Sequence, residues 1–175
     1  ADFFGSTFES FKVEKCIFGQ FVGFEKCKFG EESEGSKASA LFKYVTFNDY
    51  FNFRSASFFV PISLKLINHT KQPNFLGVTI SENALKATDC ETFRIIKHSF
   101  DTVGNHVEAN HFFTHEMEAH RRELRASNGS LKERLLLSFN ALISDHGQNY
   151  IKAGSWWLGL VALIGFVLAN DREQW

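Results

Sequence analysis

No sign of charge prevails in this sequence. Its 19 basic and 20 acidic side chains leave a formal net charge of -1, so no global field draws it toward nucleic acid or acidic ligands. Cysteine is scarce and odd in number: Cys16, Cys27 and Cys90 fit neither a disulfide framework nor a zinc knuckle, and a reducing compartment is the simpler expectation. No amino-terminal run of basic then apolar residues occurs, so no signal peptide is expected. The chain starts at Ala1 rather than Met, which is compatible with processing or truncation of a longer protein. A glycine-rich phosphate loop, a nucleophile elbow and a paired-cysteine motif are all missing, and with them the common signatures of catalysis. Proline is reduced to Pro61 and Pro73, whereas phenylalanine occurs 21 times. Phenylalanine is therefore the structural unit to explain.

Large apolar residues recur every five positions. They fall at Phe3, Phe8, Val13 and Phe18, then at Phe24 and Phe29 after a slip of one. The rhythm resumes at Phe42 and Phe47, slips to Phe53 and Phe58, and returns at Phe75, Ile80 and Leu85. Smaller or β-branched residues precede many of these by two: Ser6, Cys16, Cys27, Ala40, Val45, Ala56 and Val78. A helix repeats every 3.6 residues and a strand every 2.0, so neither produces this period. A coil in which each pentad makes one short extended side and then turns a corner does, because residues two apart point the same way within a side. Stacked coils would bury one another's apolar faces and backbone groups. Phe8, Phe18, Phe24, Phe29, Phe42, Phe47, Phe53, Phe58, Phe75 and Ile80 are the expected repeat core, with Cys16 and Cys27 as small core fillers.

The pentads at residues 6–10, 16–20, 56–60 and 78–82 resemble the pentapeptide-repeat family, over roughly residues 3–88. The resemblance implies a β-solenoid, a right-handed quadrilateral β-helix with four pentads per coil. The charged stretch 31–37 and residues 65–72 depart from the pattern, and the first is expected to loop out.

Beyond Leu85 the period changes. Thr88 with Glu91 reads as a capping box, and Phe93, Ile96, Phe100 and Val103 follow at helical spacing up to Gly104. Asn105 is suited to cap a second helix, with the stripe Ala109, Phe113, Met117, His120 and Leu124. The pair is expected as a helical hairpin over residues 89–126 that closes the end of the repeats, which span residues 1–88. Ser130 with Glu133 opens a third helix with Leu131, Leu135, Phe139 and Leu142 as its stripe, lying either on a membrane surface or on the preceding hairpin.

Residues 153–169 carry no charge, a length at the low edge of the roughly 17 to 25 that span a bilayer. Leu158, Leu160, Val161, Leu163, Ile164, Phe166, Val167 and Leu168 are the expected membrane-spanning residues, and Trp156 and Trp157 the interfacial ones. The tail, residues 130–175, is thus expected to hold an amphipathic helix and a transmembrane helix. The excess of Arg121, Arg122, Arg125, Lys132, Arg134 and Lys152 over Arg172 would keep the repeats in the cytoplasm. Residues 91–124 are also similar to a segment that follows pentapeptide repeats in certain bacterial membrane proteins, where hydrophobic helices come next, sometimes in a two-helix channel-like module. With one such helix and no Gly-Tyr-Gly, a complete pore is not supported.

His98, His106, His111, His115 and His120 are the one chemical temptation. His111 and His115, a turn apart, could share a metal, but the run from His115-Glu116 to His120 has one residue too many for a zinc-protease motif. The expectation is no enzyme, no cofactor and no metal: a membrane-tethered scaffold or protein-interaction module with a protein partner and a possible homo-oligomeric state. A subunit or fragment of a channel-like membrane protein is the alternative. A DNA-mimicking topoisomerase binder is disfavoured, since residues 1–90 hold ten basic and ten acidic side chains and mimicry needs an acidic surface.

Overall fold

The computed structural model describes residues 1–31, 38–127, 130–144, 147 and 149–172, with the side chains of residues 167 and 169–172 outside the description. Most of the charged stretch 31–37 and Trp175 lie outside the described residues. The chain forms two compact units, Ala1–Glu123 and Leu124–Trp175.

The first unit begins with short strands: β1 (Thr7–Phe8), β2 (Phe11–Glu14), β3 (Ile17–Phe18), β4 (Val22–Gly23), β5 (Lys28–Phe29), β6 (Ala40–Lys43), β7 (Thr46–Phe47), β8 (Phe51–Asn52), β9 (Ser57–Phe58), β10 (Ile62–Ser63), β11 (Asn68–His69) and β12 (Thr79–Ile80). All pair in parallel, in four sheets ordered β1-β5-β9-β12, β10-β6-β2, β11-β7-β3 and β4-β8. Each neighbour in a sheet comes from the next pass of the chain, so Phe8 lies in register with Phe29, Phe29 with Phe58, and Phe58 with Ile80.

This register turns the five-residue rhythm into columns of rings. Phe3, Phe24, Phe53 and Phe75 stack at centroid distances of 5.1, 5.0 and 5.4 Å. Phe8, Phe29 and Phe58 do so at 5.2 and 4.7 Å. Each such pair contributes about 0.5–1.5 kcal/mol beyond the burial of its area. Phe24, Phe29, Phe42, Phe47, Phe53, Phe58 and Phe75 are buried, while Phe8, Phe18 and Ile80 are partly buried. Phe8 and Phe18 belong to the first pass, which is covered on one side only.

Corners form columns too. Gly5, Lys26, Ser55 and Gly77 all have positive φ, as do Lys15, Tyr44 and Leu66. The residue after each corner of the first set donates its N–H three residues back: Ser6 to Phe3, Cys27 to Phe24, Ala56 to Phe53 and Val78 to Phe75. A non-glycine residue held there costs on the order of 1–3 kcal/mol. Bonds between passes offset that strain, Lys26 N–H donating to the Arg54 carbonyl at 3.0 Å and Ser55 N–H to the Leu76 carbonyl at 2.8 Å.

Three helices complete this unit: α1 (Glu82–Ala87), α2 (Cys90–Thr102) and α3 (His106–Ala126), the last running into the second unit. Side chains at the start of α2 and just before it take up donors left at the edge of the last pass. The Ile62 N–H donates to the Thr88 hydroxyl (3.3 Å), Leu64 N–H to the Thr92 hydroxyl (2.8 Å) and Leu66 N–H to a Glu91 carboxylate oxygen (2.9 Å). An open sheet edge is an aggregation hazard, and covering it is one of the ways proteins blunt it. The second unit holds α4 (Leu131–Ser144) and α5 (Tyr150–Arg172).

Several expectations need correction. The right-handed quadrilateral β-helix is not present as one closed solenoid. The strands, mostly two residues long, form four separate small parallel sheets of four, three, three and two strands, because the chain leaves extended conformation at each corner before pairing can run on into the next sheet. The transmembrane helix is overturned as well: among the described residues no helix is long and apolar enough to cross a membrane. The expected span of Leu158, Leu160, Val161, Leu163, Ile164, Phe166 and Leu168, with Trp156 and Trp157 at its interface, thus has no helix of that kind to carry it among the described residues, and the side chain of Val167 lies outside them.

Smaller shifts follow from packing. Asp89, not Thr88, caps α2, its side chain accepting from Thr92 N–H at 2.9 Å, while Thr88 ends α1. The inward stripe of α3 is Ala109, Phe112, Glu116 and Ala119, one position from the expected Phe113, because Phe112 is the ring that stacks on Phe100 at 5.6 Å. Cys27 is buried, but Cys16 is exposed on the first pass.

Two substitutions test this account. Phe53→Ala, in a fully buried column position, is expected to cost about 3–5 kcal/mol in chemical denaturation, whereas Ile17→Ala, 72% exposed, should cost a small fraction of that. Thr92→Val keeps the shape but orphans the buried Leu64 N–H, and a loss of about 1–3 kcal/mol is expected; an unchanged midpoint would show that the edge donor needs no cap.

Candidate functional site

Two regions gather the features that ordinary core and solvated surface do not explain. One is the polar face between α2 and α3. Asp89 fixes the start of α2 by accepting from both the N–H and the hydroxyl of Thr92, and this sets Cys90 on the side turned to α3. Glu116 is 4% exposed and lies within the apolar stripe of α3. Its carboxylate accepts from Arg94 Nε at 2.8 Å and from Lys97 Nζ at 3.3 Å. That pairing raises the Arg94 guanidinium above its ordinary value and meets the requirement that a buried charge be paired. Lys97 also stands over the Phe113 ring at 5.0 Å.

Nearer the start of α2, the buried Cys90 donates its backbone N–H to Glu123 Oε1 at 3.0 Å, and its Sγ accepts from Arg94 Nη2 at 3.6 Å. Burial pushes this thiol up to about 11, against the pull of Arg94. Arg122 donates to the carbonyls of Leu85 (3.3 Å) and Thr88 (2.9 Å), closing the end of α1. Cys90 Sγ, a ring nitrogen of His120 and a carboxylate oxygen of Glu123 all lie within 4.8 Å of one another.

The histidines do not gather as one cluster. His111 and His115 have perpendicular rings with centroids 4.8 Å apart. The Nε2 of His115 is buried without a hydrogen-bond partner, and burial first, then His111, depresses its pKa. His120 joins Cys90 and Glu123 instead. The sequence carries no sign of that trio, because Cys90 and Glu123 are 33 residues apart and no local spacing joins them.

The other region is the second unit. The side chain of Asn149 accepts from Lys152 N–H at 2.9 Å and so caps α5. Lys152 Nζ donates to the Ala141 carbonyl (3.0 Å) and Trp156 Nε1 to the Leu142 carbonyl (3.2 Å), so α5 supplies donors to the open carbonyl end of α4. Leu137 of α4 is buried, but Leu131, Leu135, Leu136, Phe139 and Leu142 are exposed. On α5, Trp156, Trp157, Leu158, Leu160, Val161, Leu163, Ile164, Phe166 and Leu168 are exposed as well, between 47% and 71%. An open groove of about 480 Å³ runs along Lys152, Ser155, Trp156, Gly159, Leu160 and Leu163. Exposed apolar residues thus occupy every side of α5.

No family model, no curated protein and no solved structure matches this chain.

Thiol labelling checks the electrostatics of the first region. At neutral pH the exposed Cys16 should react promptly, whereas Cys90, buried and held protonated, should react only on unfolding. Labelling of Cys90 at a rate comparable to Cys16 in the folded chain would contradict its burial.

Proposed function

We propose that the chain is a non-catalytic protein-interaction module that self-associates through α4 and α5, with the stacked β passes as its rigid part. The observation that carries this reading is the exposed apolar surface of α5, which runs around the whole helix. A helix that is apolar on all sides is normally buried, and an apolar patch of more than a few hundred Å² marks an interaction site.

A second copy is the occupant that fits best. In a two-fold pair the same patch serves both partners, and two copies of this hairpin would cover each other's leucine-rich sides at once. The formal charge of -1 sets up no repulsion between copies. The buried carboxylate of the first unit already has structural work: Glu116 neutralises Arg94 and Lys97. That division of labour favours a binding role over catalysis.

The test is light scattering coupled to size exclusion on the full chain in detergent-free buffer, beside a Leu160→Glu, Leu163→Glu variant. A dimer or larger assembly that falls to a monomer in the variant is the expected result. A monomeric parent chain would overturn the reading. So would a chain recovered only with detergent or lipid vesicles, since a lipid surface would then be what covers the hairpin.

A further inference from the structure

We infer that Cys90, His120 and Glu123 form a binding site for one zinc-like divalent transition-metal ion. The site lies within the first unit and does not depend on self-association through α4 and α5.

Donor chemistry, geometry and burial bear on it. Thiolate, imidazole and carboxylate together are the donor set that zinc takes, at about 2.3 Å for sulfur and about 2.0–2.2 Å for nitrogen and oxygen. The three donor atoms already lie within 4.8 Å of one another, and donors around one tetrahedral ion stand roughly 3.5 Å apart on those bond lengths, so modest side-chain rotation closes the site. His120 and Glu123 are three residues apart on α3, on neighbouring positions of one helix face, and the cap at Asp89 holds Cys90 opposite them.

Glu123 also has its Oε1 held by the Cys90 N–H at 3.0 Å. A ligating carboxylate oriented by a hydrogen bond is the supporting arrangement that tunes metal sites. The anions near the thiol are Glu116, Glu123 and Asp89, of which Glu116 is already paired with Arg94 and Lys97. Burial is graded, with Cys90 buried, His120 half-buried and Glu123 exposed, so an ion has a way in from the Glu123 side while the sulfur is shielded.

Binding breaks the S–H bond of Cys90 and forms one sulfur–metal bond. The thiol proton leaves to buffer and no electron is transferred. Three protein donors leave one position of a tetrahedral ion for water.

The test uses the full chain stripped with chelator, titrated with zinc sulfate by calorimetry and, separately, with cobalt(II) by absorption. One zinc ion per chain is expected, together with a thiolate-to-cobalt charge-transfer band in the near ultraviolet. Cys90→Ser should abolish that band, and His120→Gln and Glu123→Gln should each weaken zinc binding at least about tenfold. His111→Gln should change neither. Circular dichroism reports whether each variant is folded, and should Cys90→Ser fail to fold, the His120 and Glu123 variants decide. A stripped parent chain that takes up no stoichiometric zinc and gives no charge-transfer band overturns the inference. So does binding that survives His120→Gln but is lost in His111→Gln.

Discussion

The in-register stacking of one pass of chain on the next is the constraint on which the first unit depends. A two-residue strand cannot hold itself: it offers two or three hydrogen bonds against the entropy of fixing its backbone, about 1–2 kcal/mol per residue. Parallel pairing with passes on both sides raises the number of bonds per residue, and it sets Phe24 between Phe3 and Phe53, and Phe29 between Phe8 and Phe58. Rings and backbone bonds require the same spacing between passes, so each reinforces the other. The strained corners at Lys26, Ser55 and Tyr44 persist because the passes above and below over-determine them, while those at Lys15 and Leu66, at the two ends of their column, have a neighbouring pass on one side.

Such a stack has two ends, and the chain treats them differently. The first pass leaves Cys16 and Ile17 exposed. The last pass meets Thr88, Glu91 and Thr92, whose side chains accept from alternate backbone donors of residues 62–66. These three residues stand at the junction where the β passes give way to α2, and the alternation of the strand matches the spacing of side chains over that junction. The same segment contributes Asp89 and Cys90 to the polar face against α3, so the cap of the stack and the proposed metal site share one piece of chain. Occupation of the site would therefore tie α2 to α3 where α2 meets the β edge.

The five-residue recurrence of phenylalanine pointed directly to stacked passes and to the residues of the buried columns, because a side-chain period survives in the sequence whatever the corners do. It did not reveal that the passes split into four separate sheets, which depends on where each corner leaves extended conformation. The change of period beyond Leu85 announced helices, although α1 already begins at Glu82, and the stripe of Phe93, Ile96 and Phe100 fixed the buried face of α2. For α3, the expected stripe put Phe113 inward, and the packing of Phe112 on Phe100 turns the helix by one position. For α5, an uncharged run at the edge of spanning length suggested a membrane segment, yet among the described residues no helix is long and apolar enough to cross a membrane.

What the sequence by itself determined is whatever repeats locally: the columns, the positions of several helix starts, and the lack of any recognisable catalytic motif. Tertiary structure alone decided which of Phe112 and Phe113 faces inward, that Glu116 is buried against Arg94 and Lys97, and that Cys90 meets His120 and Glu123. Cys90 and Glu123 are 33 residues apart in the chain, on two helices whose mutual rotation is set by how Phe93, Phe100 and Phe112 pack. No periodicity along one helix encodes the angle at which it meets another, so a site assembled across that contact becomes visible only once the helices are packed.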